Sequence, residues 1–110
     1  MLGDQQLATR YALSGPVEFR GDEVLGSGTI WNLSASGALV EWVSTIVDSG
    51  TPLRMRISYY PGSFETELPS EVVRTTPTGF AVRFVELDTS SRLLLARVLV
   101  RCENQFPVSN

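Results

Sequence analysis

Residues 53–60 read LRMRISYY, and the alternation in this run constrains the chain more than any other feature. Leu53, Met55, Ile57 and Tyr59 fall on one side of an extended backbone. Arg54, Arg56, Ser58 and Tyr60 fall on the other, because side chains of a strand alternate. One apolar and one polar side describe a half-buried strand of an antiparallel sheet. The same period of two recurs at 17–20, after Gly15-Pro16, and at 80–85, where Phe80, Val82 and Phe84 share a side. Further strands are predicted from Gly26 and Gly28 through Leu33, over 38–42, and over 64–76, where Pro69 imposes a bulge or an edge. DSGTP (48–52), YPGS (60–63) and TPTG (76–79) read as the loops and turns between them.

The period then changes. LDTSSRLLLARVLVRCE (87–103) is helical, with Asp88 or Thr89 placed to cap its N-terminus. Leu94, Leu95, Val98, Leu99 and Cys102 fall on one helix face, and Leu93, Ala96 and Val100 form a second apolar strip. Two apolar strips need two covers: the β structure for one, and either more of that core or a second copy of the chain for the other. A homodimer is therefore an expectation. Six short antiparallel strands followed by a helix suggest a small closed barrel, because closure removes unpaired edges. The expected layout is one domain over 1–110: a flexible, polar N-terminal arm (1–14), the barrel (15–86) and a C-terminal helix (88–103).

Composition narrows the function. The 110 residues suit a single core. A net charge of −3 argues against a DNA or RNA partner, which calls for a basic surface. All 9 basic residues are arginine, whose planar fork grips phosphates and base edges. Without histidine the chain lacks the commonest general base and metal ligand, and Cys102 is one small hydrophobe at the end of an apolar segment. Neither a catalytic residue nor a metal ligand stands out, and the chain reads as non-enzymatic. MLGDQQLATR has neither the basic start nor the apolar run of a signal peptide, and 93–100, broken by Arg97, is too short to enter a bilayer. The expected location is the cytoplasm.

The stretch NLSASG (32–37) offers the clearest chemistry. Asn32 and Ser34 share the outward face while Leu33 points inward; Asn supplies donors and an acceptor, Ser a hydroxyl. Gly37 permits positive φ and a close approach to its backbone. Two readings are open: a polar hairpin turn, or a turn that holds a nucleobase edge or phosphate. Trp31, Trp42, Tyr59 and Tyr60 likewise serve either to stack on bases or to fill a small barrel and its rim.

On these residues the chain resembles the PilZ domain family. NLSASG matches the family's [D/N]-x-S-x-x-G motif in full. The strand order, GFAVRF in the last strand and the terminal helix follow the family's pattern along nearly the whole chain. The resemblance implies a six-stranded antiparallel β-barrel of PilZ type and a regulatory ligand, cyclic di-GMP, with no other cofactor. It implies ligand contacts by Arg10, Asn32, Ser34 and Gly37, with the arm wrapped over the nucleotide. It also implies an output through a partner protein, in the control of motility or biofilm. The family's second motif, R-x-x-x-R, is incomplete: Arg10 matches its second arginine, and Gln6 stands where the first belongs. Loss of one charge-assisted contact costs about 1.5–3 kcal/mol, roughly ten- to a hundredfold in affinity. Arg20, Arg54, Arg56 and Arg83 are candidates to replace it. The alternative is a degenerate member that keeps the barrel and acts as a protein–protein adaptor without binding the nucleotide.

Overall fold

The computed structural model describes residues 11–59 and 64–105. Six strands run β1 (Tyr11–Arg20), β2 (Leu25–Leu33), β3 (Gly37–Glu41), β4 (Pro52–Tyr59), β5 (Phe64–Thr75) and β6 (Gly79–Phe84), followed by a helix, α1 (Thr89–Gln105). They close into an antiparallel barrel in the order β1-β2-β3-β6-β5-β4, with β4 returning to β1. No strand edge remains along the circuit, as the sequence implied.

The alternating strands do what their pattern dictates. Leu53, Met55 and Ile57 of β4 are buried and Arg54, Arg56 and Ser58 are exposed. Val17, Phe19, Ile30, Leu33, Val40, Leu68, Val72, Phe80 and Val82 fill the interior from the other strands, and Phe19 meets Phe80 edge to face with ring centroids 5.1 Å apart. Such aromatic pairs add about 0.5–1.5 kcal/mol beyond their burial. Pro69 is neither bulged nor misaligned against Arg54 of β4. Its carbonyl accepts from Val85 N (2.9 Å) just past the end of β6, so the bond its missing N–H forgoes lies beyond the β5–β6 ladder. The β5 irregularity lies instead between Val72 and Arg74.

One boundary and one packing expectation differ in the fold. The arm expected over 1–14 gives its last four residues to β1, which starts at Tyr11 rather than after Gly15-Pro16. Pairing across the Gly-Pro step survives because β1 absorbs a register shift between Ala12 and Gly15. The two tryptophans are not barrel filling: Trp31 is 55% and Trp42 65% exposed.

The helix is capped by Asp88, whose Oδ1 accepts from Ser91 N at 2.7 Å. Leu95 and Val98 are buried, Leu94 and Leu99 half-buried, and Leu93, Ala96 and Val100 exposed, which separates the two apolar strips. The side chain of Cys102 lies outside the described residues. The hydrogen bond from Ser91 N, with a lesser one from its side chain, lowers the Asp88 pKa from its ordinary 3.8. A depressed folded-state pKa means a contribution that is whole above the unfolded value and lost as pH falls through the folded one. Asp88→Asn is expected to lower Tm at neutral pH, with the gap to the parent narrowing once pH drops below 3.8. Paired thermal melts across that range check this, and a gap that does not narrow contradicts the cap's ionic character.

Candidate functional site

The NLSASG stretch joins β2 to β3, and three local features shape it. The first is a bulge. β3 pairs Ile30 with Val40 and then Asn32 with Leu39, so Trp31 is an extra residue without a partner on β3. The extra residue resets the alternation. Ile30 and Leu33 both point inward although three apart, while Trp31 and Asn32 lie side by side toward the outside. Asn32 is half-buried, and none of the described residues hydrogen-bonds its side-chain amide.

The second feature is a turn built on one hydroxyl. Ser34 N donates to Gly37 O at 2.9 Å, closing the hairpin around Ala35 and Ser36. Ser34 Oγ accepts from Ser36 N and Gly37 N, each at 3.2 Å, and lies 3.3 Å from Gly37 O and 3.2 Å from Ser36 Oγ. Ser34 is 4% exposed, so it faces the turn rather than the solvent side expected for it. Ser34→Ala is expected to destabilise the ligand-free fold by about 1–2 kcal/mol, because two half-buried turn amides lose their acceptor. Urea unfolding measures this, and an unchanged midpoint contradicts it.

The third is the close approach at Gly37. Its φ is not positive. What comes near its backbone is β6: a Cβ there would overlap the carbonyl oxygen of Val82 and meet Arg83 Cα at 3.2 Å. Ser36 O also accepts from Phe84 N at 2.8 Å. The glycine thus seats the turn against β6.

Of the arginines considered as replacements, three belong elsewhere. Arg20 and Arg54 both reach Glu67, at 3.1 and 3.8 Å, and Arg56 faces Glu18 at 3.9 Å. These form an outer charge lattice on β1, β4 and β5. Arg83 is different: it is the register partner of Gly37, and its Nη2 contacts Glu71 Oε1 at 2.6 Å on the exposed face. Exposed pairs of this kind are worth at most about 1 kcal/mol, so Arg83 can be drawn from Glu71.

Arg10 and Gln6 lie outside the described residues, as does Tyr60; the Tyr59 side chain is likewise not described. Chain connectivity nevertheless bears on the arm. Tyr11, the residue after Arg10, is the register partner of Leu33, and Ala12 that of Asn32. Consecutive Cα atoms are about 3.8 Å apart. The arm therefore joins the barrel at the level of the motif. Trp31 was not singled out by any motif; the bulge that exposes it beside Asn32 has no sequence signal of its own.

No helix among the described residues is long and apolar enough to cross a membrane. Among curated proteins none matches the chain. Solved structures do. The PilZ domain of YcgR from Escherichia coli, with c-di-GMP, is similar with a TM-score of 0.76 at 11% identity, covering 89% of this chain and 91% of that one. The PilZ domain of CeSA from a cellulose-synthesizing bacterium gives 0.70 at 20% identity, covering 86% and 97%. The motility inhibitor MotI/DgrA of Bacillus subtilis gives 0.68 at 20% identity, covering 89% of this chain and 51% of that one. At these identities the likeness is one of fold. The PilZ domain family model, however, matches the sequence itself over residues 4–101. With that match spanning arm, barrel and most of the helix, the chain belongs to the PilZ domain family.

Proposed function

We propose that the chain is a non-enzymatic, cytoplasmic receptor module for cyclic di-GMP that signals through a partner protein. The observation that carries this reading is the register of β1 on β2. It sets Tyr11 and Ala12, the first residues after the arm, opposite Leu33 and Asn32. The ligand would lie between arm and β2. Arg10 meets a phosphate or a guanine edge through its fork, and the Asn32 amide reads a base edge. The exposed Trp31 indole offers a face on which guanine can stack. Ser34 and Gly37 serve by holding the turn that aims Asn32, and Arg83 is the arginine best placed to compensate for Gln6. The E. coli YcgR domain, similar in fold, is a complex with this same nucleotide. The exposed strip of Leu93, Ala96 and Val100 suits a homodimer contact.

A second reading, the non-binding adaptor, is favoured by one observation. The Ser34 hydroxyl is used within the turn, and the close approach at Gly37 is used by β6. A titration of ¹⁵N-labelled chain with cyclic di-GMP separates the two. The receptor reading expects shifts at residues 11–12, 31–37 and 83; an unchanged spectrum, or shifts confined elsewhere, favours the adaptor.

A further inference from the structure

The barrel end away from NLSASG carries apolar side chains that nothing in the described fold covers. Leu25 is 77%, Trp42 65% and Ile46 84% exposed. Trp42 also has φ 55°. A bulky residue enters this left-handed region only under constraint, and such strain clusters at functional positions. Here the constraint is explicit. Val43 N donates to Thr78 O at 3.1 Å, Ser44 N to Ser27 O at 2.8 Å, and Ser27 N to Ser44 Oγ at 2.9 Å. Residues 42–46 are thereby pinned along the start of β2, where Leu25 stands, and the indole is held out in solvent.

Beside them lies an open groove of about 590 Å³. Val24 and Ile46 supply apolar wall, and Asp22, Glu23 and Asp48 supply charge. No arginine lines it. The three carboxylates have no ion-pair partner among the described residues, whereas Glu18, Glu67 and Glu71 on the barrel wall each face an arginine. The acidic side of this surface is left uncompensated exactly where its apolar side is left uncovered, and β3 links it to the motif end, running from Gly37 to Glu41 beside Trp42.

We propose that this end of the barrel docks a protein partner through a cationic segment carrying an apolar side chain between its basic residues. Ile46 and Val24 seat the apolar anchor. Asp22, Glu23 and Asp48 set the sign of the partner's charge, since like charges brought together across an interface repel acidic segments. A second copy of this chain is a poor occupant, because both copies would present the same acidic groove and each carries a net charge of −3. The surface is separate from Asn32, so docking and nucleotide binding do not compete for the same residues.

The test uses the full ¹⁵N-labelled chain and three short synthetic peptides: alternating arginine and leucine, glutamate and leucine, and arginine and serine. The arginine–leucine peptide is expected to shift amides at 22–25 and 42–51 and to bind roughly tenfold more tightly than either other peptide. Its binding should weaken with salt. It should also weaken roughly tenfold in Ile46→Ser and in the combined Asp22→Asn, Glu23→Gln, Asp48→Asn variant. All four positions are exposed, and each variant's own spectrum reports whether it is folded. Equal binding of the arginine–serine peptide overturns the proposal, as do shifts spread around the barrel or affinity undiminished in the folded variants. A dimer in sedimentation that the Ile46→Ser variant dissociates overturns it as well.

Discussion

Gly37→Ala is expected to destabilise the ligand-free protein by about 2–3 kcal/mol, read as a lower urea midpoint with an unchanged slope. The added methyl would overlap the Val82 carbonyl oxygen and press on Val82 C and Arg83 Cα, both at 3.2 Å. These are backbone atoms, so no rotamer change relieves the clash. β3 must move off β6, which strains the Gly37–Arg83 pairing and the bond from Phe84 N to Ser36 O. Gly79 stands at the other end of the same ladder, paired with Glu41, and a Cβ there would overlap the Val40 carbonyl. Gly79→Ala should behave alike. A midpoint equal to the parent's in either variant contradicts the view that these glycines exist for strand approach.

The second large effect concerns the arm. Gln6→Arg is expected to tighten cyclic di-GMP binding roughly ten- to a hundredfold, and Arg10→Ala to abolish it. Arginine brings to a doubly charged, guanine-bearing ligand a charge, a bidentate fork and a flat face for stacking. Glutamine brings hydrogen bonds alone. Arg10 directly precedes Tyr11, the register partner of Leu33, so its removal takes away the arm's one arginine next to the strand that pairs with the motif. Calorimetric titration of both variants measures the pair. Unchanged affinity in both contradicts an arm that clamps the ligand.

The barrel was legible because its strands are amphipathic on a strict period of two. LRMRIS (53–58) sorts into buried and exposed residues as its alternation dictates. The helix was legible from the change of period, and its cap from an Asp placed before the first turn. What stayed hidden were departures from period. The bulge at Trp31 turns Asn32 outward, and the irregularity at 12–15 lets β1 continue through Gly-Pro, yet neither is marked by residue type. The sequence leaves the motif open to two readings, a polar hairpin turn or a turn whose hydroxyl, amide and bare backbone meet a ligand. In the fold, the hydroxyl and the bare backbone are engaged by Ser36, Gly37 and β6, because a six-strand barrel brings a third strand, β6, against the hairpin. That contact joins residues 37 and 83, far apart in sequence, and no local pattern encodes it. Asn32 alone of the three keeps its side chain free of described partners, which concentrates the candidate site on it, Trp31 and the arm.

The most direct measurement is isothermal titration of the purified chain with cyclic di-GMP, with GTP as the control. Saturable heat with cyclic di-GMP and none with GTP is the result predicted for Asn32, Trp31 and a single arm arginine acting together. Absence of heat up to high micromolar nucleotide would contradict it, leaving NLSASG as a structural turn and the chain as a PilZ-fold adaptor.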